Sequence, residues 1–108
     1  MNKNTTWINL QVLSLKDSHL GEEGSVELSK NIVWIRLQTL NLCNCKIGVK
    51  GMAALSESAT WTKLQKLGLS NNPLHDKGAA VLSTNTTWKK LQVLELANIG
   101  IKDEGAMS

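Results

Sequence analysis

Residues 61–87 read WTKLQKLGLSNNPLHDKGAAVLSTNTT, and the rest of the chain is copies of that stretch. Trp34 to Thr60 reads WIRLQTLNLCNCKIGVKGMAALSESAT, and Trp7 to Val33 reads WINLQVLSLKDSHLGEEGSVELSKNIV. Trp88 to Ser108 repeats the first part, WKKLQVLELANIGIKDEGAMS. The tryptophans Trp7, Trp34, Trp61 and Trp88 thus recur at one constant interval with no insertion. Self-similarity at such a period is the signature of a solenoid, in which each unit buries its apolar side on its neighbours. That arrangement also eases the surface-to-volume limit on a chain of 108 residues, which has room for one domain.

Each copy opens with the same spacing of leucines. These are Leu10, Leu13 and Leu15; Leu37, Leu40 and Leu42; Leu64, Leu67 and Leu69; Leu91, Leu94 and Leu96. The last two of each trio alternate with a polar or small residue, which is the period of a strand with one buried face. Strands of one direction and one register stack into a parallel sheet, so each repeat must return by a crossover. A turn then leads to one more apolar residue, Leu20, Ile47, Leu74 or Ile101. The second half of the repeat reads as a helix ending near Asn31, Ser58 and Asn85. Asp76 and Asp103 are placed to cap its first free amides, with Glu22 and Val49 in the same column. Gly24, Gly51, Gly78 and Gly105 recur in its first turn, where glycine costs about 1 kcal/mol of helix propensity. A cost repeated in every unit predicts a close approach of helix to sheet. The boundaries follow: the tail of a preceding repeat at 1–6, full repeats at 7–33, 34–60 and 61–87, and a shortened one at 88–108. The chain is expected to be a segment of a longer array.

The pattern Leu-x-x-Leu-x-Leu-x-x-(Asn or Cys)-x-Leu resembles the leucine-rich repeat, and the resemblance spans essentially the whole chain. It implies an α/β solenoid, a right-handed superhelix with a concave parallel sheet and convex helices. It also implies that the Asn or Cys side chain sits inside the turn and bonds backbone groups of neighbouring coils. Cys45 and Asn72 fit that role; Ser18 is a weaker substitute, and Ile99 cannot make the bond. The Gly-Ala-x-x-Leu-Ser phrasing is similar to the ribonuclease-inhibitor class, which includes the Ran GTPase-activating protein and the repeats of NOD-like receptors. Members of that class are mostly intracellular.

Composition narrows the function classes. The net charge is +3, from 12 basic and 9 acidic residues, and eleven of the basic ones are lysines scattered along the chain. Nucleic-acid proteins gather charge on one face and favour arginine forks, so no nucleic-acid partner is expected. No apolar run has membrane-spanning length and no signal-peptide core follows Met1, so neither a membrane nor secretion is indicated. Cys43 and Cys45 are only two apart, the first at the end of the strand and the second in the turn, and make a poor disulfide. No further Cys or placed His joins them in a zinc site. Both are read as reduced thiols in a cytoplasmic protein, Cys45 buried in the turn and Cys43 on the concave side. Asn4-Thr5-Thr6 and Asn85-Thr86-Thr87 match the glycosylation pattern where repeats join.

No catalytic set, metal site or cofactor site can be assembled. His19 and His75 stand in different columns, and the tryptophans are locked to the leucine frame as corner fillers. The default binding surface is the sheet face that the leucines do not use. Its outward positions form three columns: Val12, Thr39, Lys66 and Val93; Ser14, Asn41, Gly68 and Glu95; Lys16, Cys43, Ser70 and Ala97. Asn41 and Lys66 are expected to point to solvent. The reading is a non-enzymatic protein–protein interaction module whose partner is another protein. The alternative, from the resemblance to the Ran GTPase-activating protein, is a regulator or activator of an enzyme such as a small GTPase. Arg36, the sole arginine, stands before Leu37 on the entry side of its strand, away from the loop such a role uses. The leucines of the first and fourth repeats lack a covering coil in this sequence, so end-to-end self-association or fraying of the fourth repeat is expected.

Overall fold

The computed structural model describes residues 9–30, 34–58, 60–85 and 87–100. Strands and helices alternate in the order β1 (Val12–Ser14), α1 (Gly21–Ser29), β2 (Thr39–Asn41), α2 (Val49–Ser56), β3 (Lys66–Gly68), α3 (His75–Ser83) and β4 (Val93–Glu95). The strands form one parallel sheet in the order β1-β2-β3-β4, each helix crossing over to the next strand. Register follows the sequence repeat: Leu13 pairs with Leu40, Leu40 with Leu67, and Leu67 with Leu94. The ladder runs past both ends of each short strand. Below it, the Gln11 carbonyl accepts the amides of Gln38 and Thr39, and the Gln38 and Gln65 carbonyls do the same one coil on. Above it, Asp17, Asn44 and Asn71 donate to the carbonyls of Cys43, Ser70 and Ala97. An insertion of one residue would turn the leucines to the opposite face, which is why the period tolerates none.

The leucines point between sheet and helices. Leu37, Leu40, Leu42, Leu64 and Leu69 have no exposed surface, and Trp34, Trp61 and Trp88 are buried in the same cluster. The tryptophans are therefore core side chains, each worth about 2–3 kcal/mol by area. Burial declines outward from the central coils. Leu40 and Leu67 are closed, whereas Leu94 at the same position of the fourth repeat is 38% exposed.

The turn after each strand depends on the column that holds Ser18, Cys45, Asn72 and Ile99. Asn72 is buried and its amide is fully used. Its Oδ1 accepts the amides of Cys45 (2.9 Å) and Ile47 (3.0 Å), and its Nδ2 donates to the carbonyls of Leu42 (2.8 Å) and Leu69 (2.9 Å). Cys45 supplies only the donor half, its thiol reaching the Leu15 carbonyl at 2.9 Å. Where no side chain accepts, the backbone turns on itself: Ser18 N donates to Leu15 O and Leu74 N to Asn72 O. Ile99 is buried and contributes packing alone. A second column escaped the sequence reading. Asp17, Asn44, Asn71 and Asn98 all adopt positive φ, between 55° and 63°. Asp and Asn are the side-chain-bearing residues that tolerate this region best. Neighbours within the column also bond, Asn44 to Asp17 at 2.7 Å and Asn98 to Asn71 at 2.8 Å.

The helices differ from expectation in four ways. First, α3 starts at His75 with Leu74 as its N-cap residue, so Asp76 lies inside the first turn and meets the helix dipole without being the cap. Second, Glu22 serves the neighbouring helix. Its Oε1 accepts the amides of Gly48 (3.2 Å) and Gly51 (2.5 Å) at the start of α2, whose own first turn has no acidic residue. Third, the glycine column reflects contacts with helix and turn, not with the sheet. A methyl group on Gly51 would stand 2.7 Å from Glu22 Oε1 and 2.9 Å from Ser25 Cβ of α1. On Gly24 or Gly78 it would meet the leucine of its own turn, Leu20 or Leu74. The helices also end earlier than read, at Ser29, Ser56 and Ser83, each hydroxyl donating to the carbonyl three residues back. Asp103 and Gly105 lie outside the described residues. Among those residues no helix is long and apolar enough to cross a membrane.

Candidate functional site

The sheet face turned away from the helices carries the three predicted columns side by side, because consecutive strands sit in register about 4.8 Å apart. Val12 and Val93 are 64% and 45% exposed, and Lys66 is exposed between Thr39 and Val93. Ser14, Glu95, Lys16 and Ala97 are open to solvent, while Asn41 and Ser70 are half-buried. Gly68 and Cys43 depart from this pattern and are buried. Asn41 is also not a free surface side chain, since its Oδ1 accepts the Cys43 amide at 3.0 Å.

Two features give the face its relief. At the exit ends of the strands an open cleft of about 510 Å³ runs from Lys16 to Glu95 and Ala97, floored by Cys43 and Ser70. The positive-φ Asx column forms its rim, through Asn71. Beside the cleft, Gly68 lies where the other repeats place Ser14, Asn41 and Glu95. A methyl group there would stand 3.0 Å from Cys43 Sγ and 3.1 Å from both Asn41 Oδ1 and Glu95 Oε1. These side chains lean over the glycine, and that is what closes Cys43 to 8% exposure. Ser70 stiffens the far side, its hydroxyl accepting the Ala97 amide at 3.0 Å.

The two thiols are free and occupy different surroundings. Cys45 has no exposed surface and bonds the carbonyls of Leu15 and Cys43, while Cys43 reaches the cleft. Among the described residues no group of three or more His, Cys, Asp or Glu could hold a metal ion. His19 is an exposed loop residue and His75 the exposed first residue of α3, both in positive-φ conformations, and His75 Nδ1 lies 3.3 Å from the Gly100 carbonyl. Arg36 is exposed in the turn that enters β2, where Leu37 N donates to Trp34 O. The Asn85 glycosylation pattern falls on a structural amide. Its Nδ2 donates to Ser56 O and its Oδ1 accepts the Trp88 amide, both at 2.8 Å. Asn4 lies outside the described residues.

Comparison with known proteins agrees with this architecture. The family model described as Leucine Rich repeat matches residues 37–56 and 62–83, the second and third repeats. A search of curated proteins finds no match to the chain. Among solved structures, one described as Leiomodin-1 Actin-Binding Site 2 superposes with a TM-score of 0.73 at 17% identity. The match covers 96% of this chain and 63% of that one, so the chain spans less than two thirds of its neighbour's length. With its register-locked parallel sheet and its convex helices, the chain is a leucine-rich-repeat solenoid.

Proposed function

We propose that the protein is a non-enzymatic protein–protein interaction module that binds its partner on the concave sheet face. One observation carries the reading. Apart from a glutamine column at the strand entrances (Gln11, Gln38, Gln65 and Gln92), the positions whose residue type repeats from coil to coil go into the core or the turns, whereas the positions on the sheet face change type at every coil. Ser14, Asn41, Gly68 and Glu95 share one structural place and nothing else. A face varied in side chain, of which only Asn41 and Ser70 also bond the backbone, suits recognition of another folded protein. The absence of any metal-capable cluster among the described residues is compatible with this but does not carry it. The structural neighbour is described as an actin-binding site; at this identity it lends support only to the general mode, a repeat solenoid used for contact. The full helix in each of the first three repeats supports placement in the ribonuclease-inhibitor class, and the two unpaired thiols support a cytoplasmic setting.

Site-specific photo-crosslinking tests the reading. A crosslinking residue at Lys66 or Ser70 on the concave face, compared with Lys77 or Ala80 on α3, is introduced into the chain and exposed to extract of the source cells. Discrete protein adducts at the concave positions and none at the helix positions are expected. Adducts of equal yield from both faces would remove the concave surface from consideration.

A further inference from the structure

We propose that the rim formed by the strand entrances is an interaction surface for an extended acidic segment of a partner protein. This surface is separate from the concave face, and neither reading depends on the other. The rim is one turn used three times. Leu37, Leu64 and Leu91 each donate their amide to the carbonyl of the tryptophan three residues back, at 3.2 Å in every coil. The two residues inside each turn are exposed: Ile35 and Arg36, Thr62 and Lys63, Lys89 and Lys90. Successive turns are held in register by the amides of Gln65 and Gln92, which donate to the carbonyls of Gln38 and Gln65 at 2.8 Å. Arg36, Lys63 and Lys90 therefore occupy one place in consecutive coils, about 4.8 Å apart at the backbone. Lys89 lies beside Lys90, and Lys66 opens β3 next to Gln65.

The fold sorts charges that lie scattered along the sequence. Each strand runs to a turn and the start of a helix, and each helix ends before the next entrance turn, so the molecule has two edges. At the exit edge Lys16, Lys46, Lys50 and Lys77 are matched by Asp17, Glu22, Glu23 and Asp76, with Glu95 at the exit end of β4 besides. At the entrance edge the five cations share the surface with Glu57, since Glu27 there is paired with Lys30. None of the five makes an ion pair among the described residues. Cations at that spacing lie within the screening length of about 8 Å at physiological salt, so their fields add. A second row runs beside them. Gln38, Gln65 and Gln92 repeat from coil to coil, yet their side-chain amides make no hydrogen bond among the described residues. Each offers a donor and an acceptor beside the cations. Carboxylates against the cations and peptide groups against the carboxamides together describe an acidic chain segment. A nucleic acid fits less well. Trp34, Trp61 and Trp88 are buried and the chain has no Phe or Tyr, so no described ring is open for a base to stack on. The rim also has a single guanidinium, the group best shaped to fork a phosphate.

The test titrates the isotope-labelled chain with capped hexaglutamate, capped hexaglutamine and a single-stranded hexamer of thymidylate. Hexaglutamate is expected to shift the amides of Arg36, Lys63, Gln65 and Lys90 and to leave those of Lys46, Lys50 and Lys77 in place. Added salt should suppress the shifts, and hexaglutamine should produce none. Lys63→Gln combined with Lys90→Gln, both exposed turn positions, should weaken hexaglutamate about tenfold, the worth of two exposed ion pairs. Lys46→Gln combined with Lys77→Gln removes the same net charge from the other edge and should change binding by no more than about twofold. Gln65→Ala should weaken it about threefold, as expected for one lost hydrogen bond. Equal weakening by the two double variants would reduce the effect to net charge and overturn the proposal. Thymidylate binding as tightly as hexaglutamate would make the rim a nucleic-acid surface and overturn it as well. A spectrum that does not respond to hexaglutamate would do the same, while leaving the concave-face reading untouched.

Discussion

At Asn72 one side chain satisfies backbone groups of two coils, and all four of its strong bonds are made out of contact with water. Its amide has both a donor and an acceptor end, so it can serve amides and carbonyls together; a thiol or hydroxyl cannot serve as many. Asn72→Ala is expected to cost about 2–4 kcal/mol in urea unfolding, because it leaves buried amides and carbonyls unpaired. Ser18→Ala should cost about 0.5 kcal/mol or less, since that exposed hydroxyl has only a 3.6 Å contact with Cys45 Sγ. The thiols obey the same logic of access. Cys43, closed by Asn41 and Glu95 but facing the cleft, should react with an alkylating reagent before Cys45, and Glu95→Gly should speed Cys43 alone. Equal rates at the two sites would contradict the register of β2.

Between elements, the contact that ties α1 to α2 is electrostatic as well as steric. The Glu22 carboxylate lies across the start of α2, where free amides and the positive end of the helix dipole meet it. This capping acts between coils, so its loss should loosen the joint between the first and second repeats. Glu22→Ala is expected to destabilise by about 0.5–2 kcal/mol, the range of a lost helix cap, and to raise hydrogen exchange at Gly48 and Gly51. Glu22→Gln keeps an acceptor and should recover part of the loss. Unchanged exchange at those amides in Glu22→Ala would show that the contact carries no stability. Gly51 belongs to the same device, because any larger side chain would displace either the carboxylate or Ser25.

Across the whole molecule, stability is concentrated in the two central coils. Leu37, Leu40, Leu42, Leu64 and Leu69 are closed to solvent, and Leu67 is closed to 1%, while β4 is exposed throughout. Leu67→Ala should therefore cost about 2–5 kcal/mol, by lost burial and a residual cavity. Lys66→Ala, one residue away on the opposite face, should stay within about 0.5 kcal/mol. Asn41→Ala falls between them at about 1 kcal/mol, since it removes the bond to the Cys43 amide. Equal costs at Leu67 and Lys66 would mean that the inward and outward faces have been exchanged.

The sequence by itself determined the repeat, its parallel register and the division of each strand into a core face and an open face. Those follow from period alone: leucines that recur at one fixed interval and at alternate positions can be buried together in only one stacking. The family pattern also pointed to Asn72 and Cys45 as the side chains that hold the turn, and their bonds are made there. What only the tertiary structure decided lies between coils. Glu22 reaches the helix of the next repeat, Gly51 makes room for it, and Cys43 is closed over by Asn41 and Glu95. The same holds for Asn85, whose amide is spent on Ser56 and Trp88. Periodicity reports which way a residue faces within its own coil. Which atom of the neighbouring coil it touches depends on twist, helix offset and rotamer, and none of these is written in a spacing.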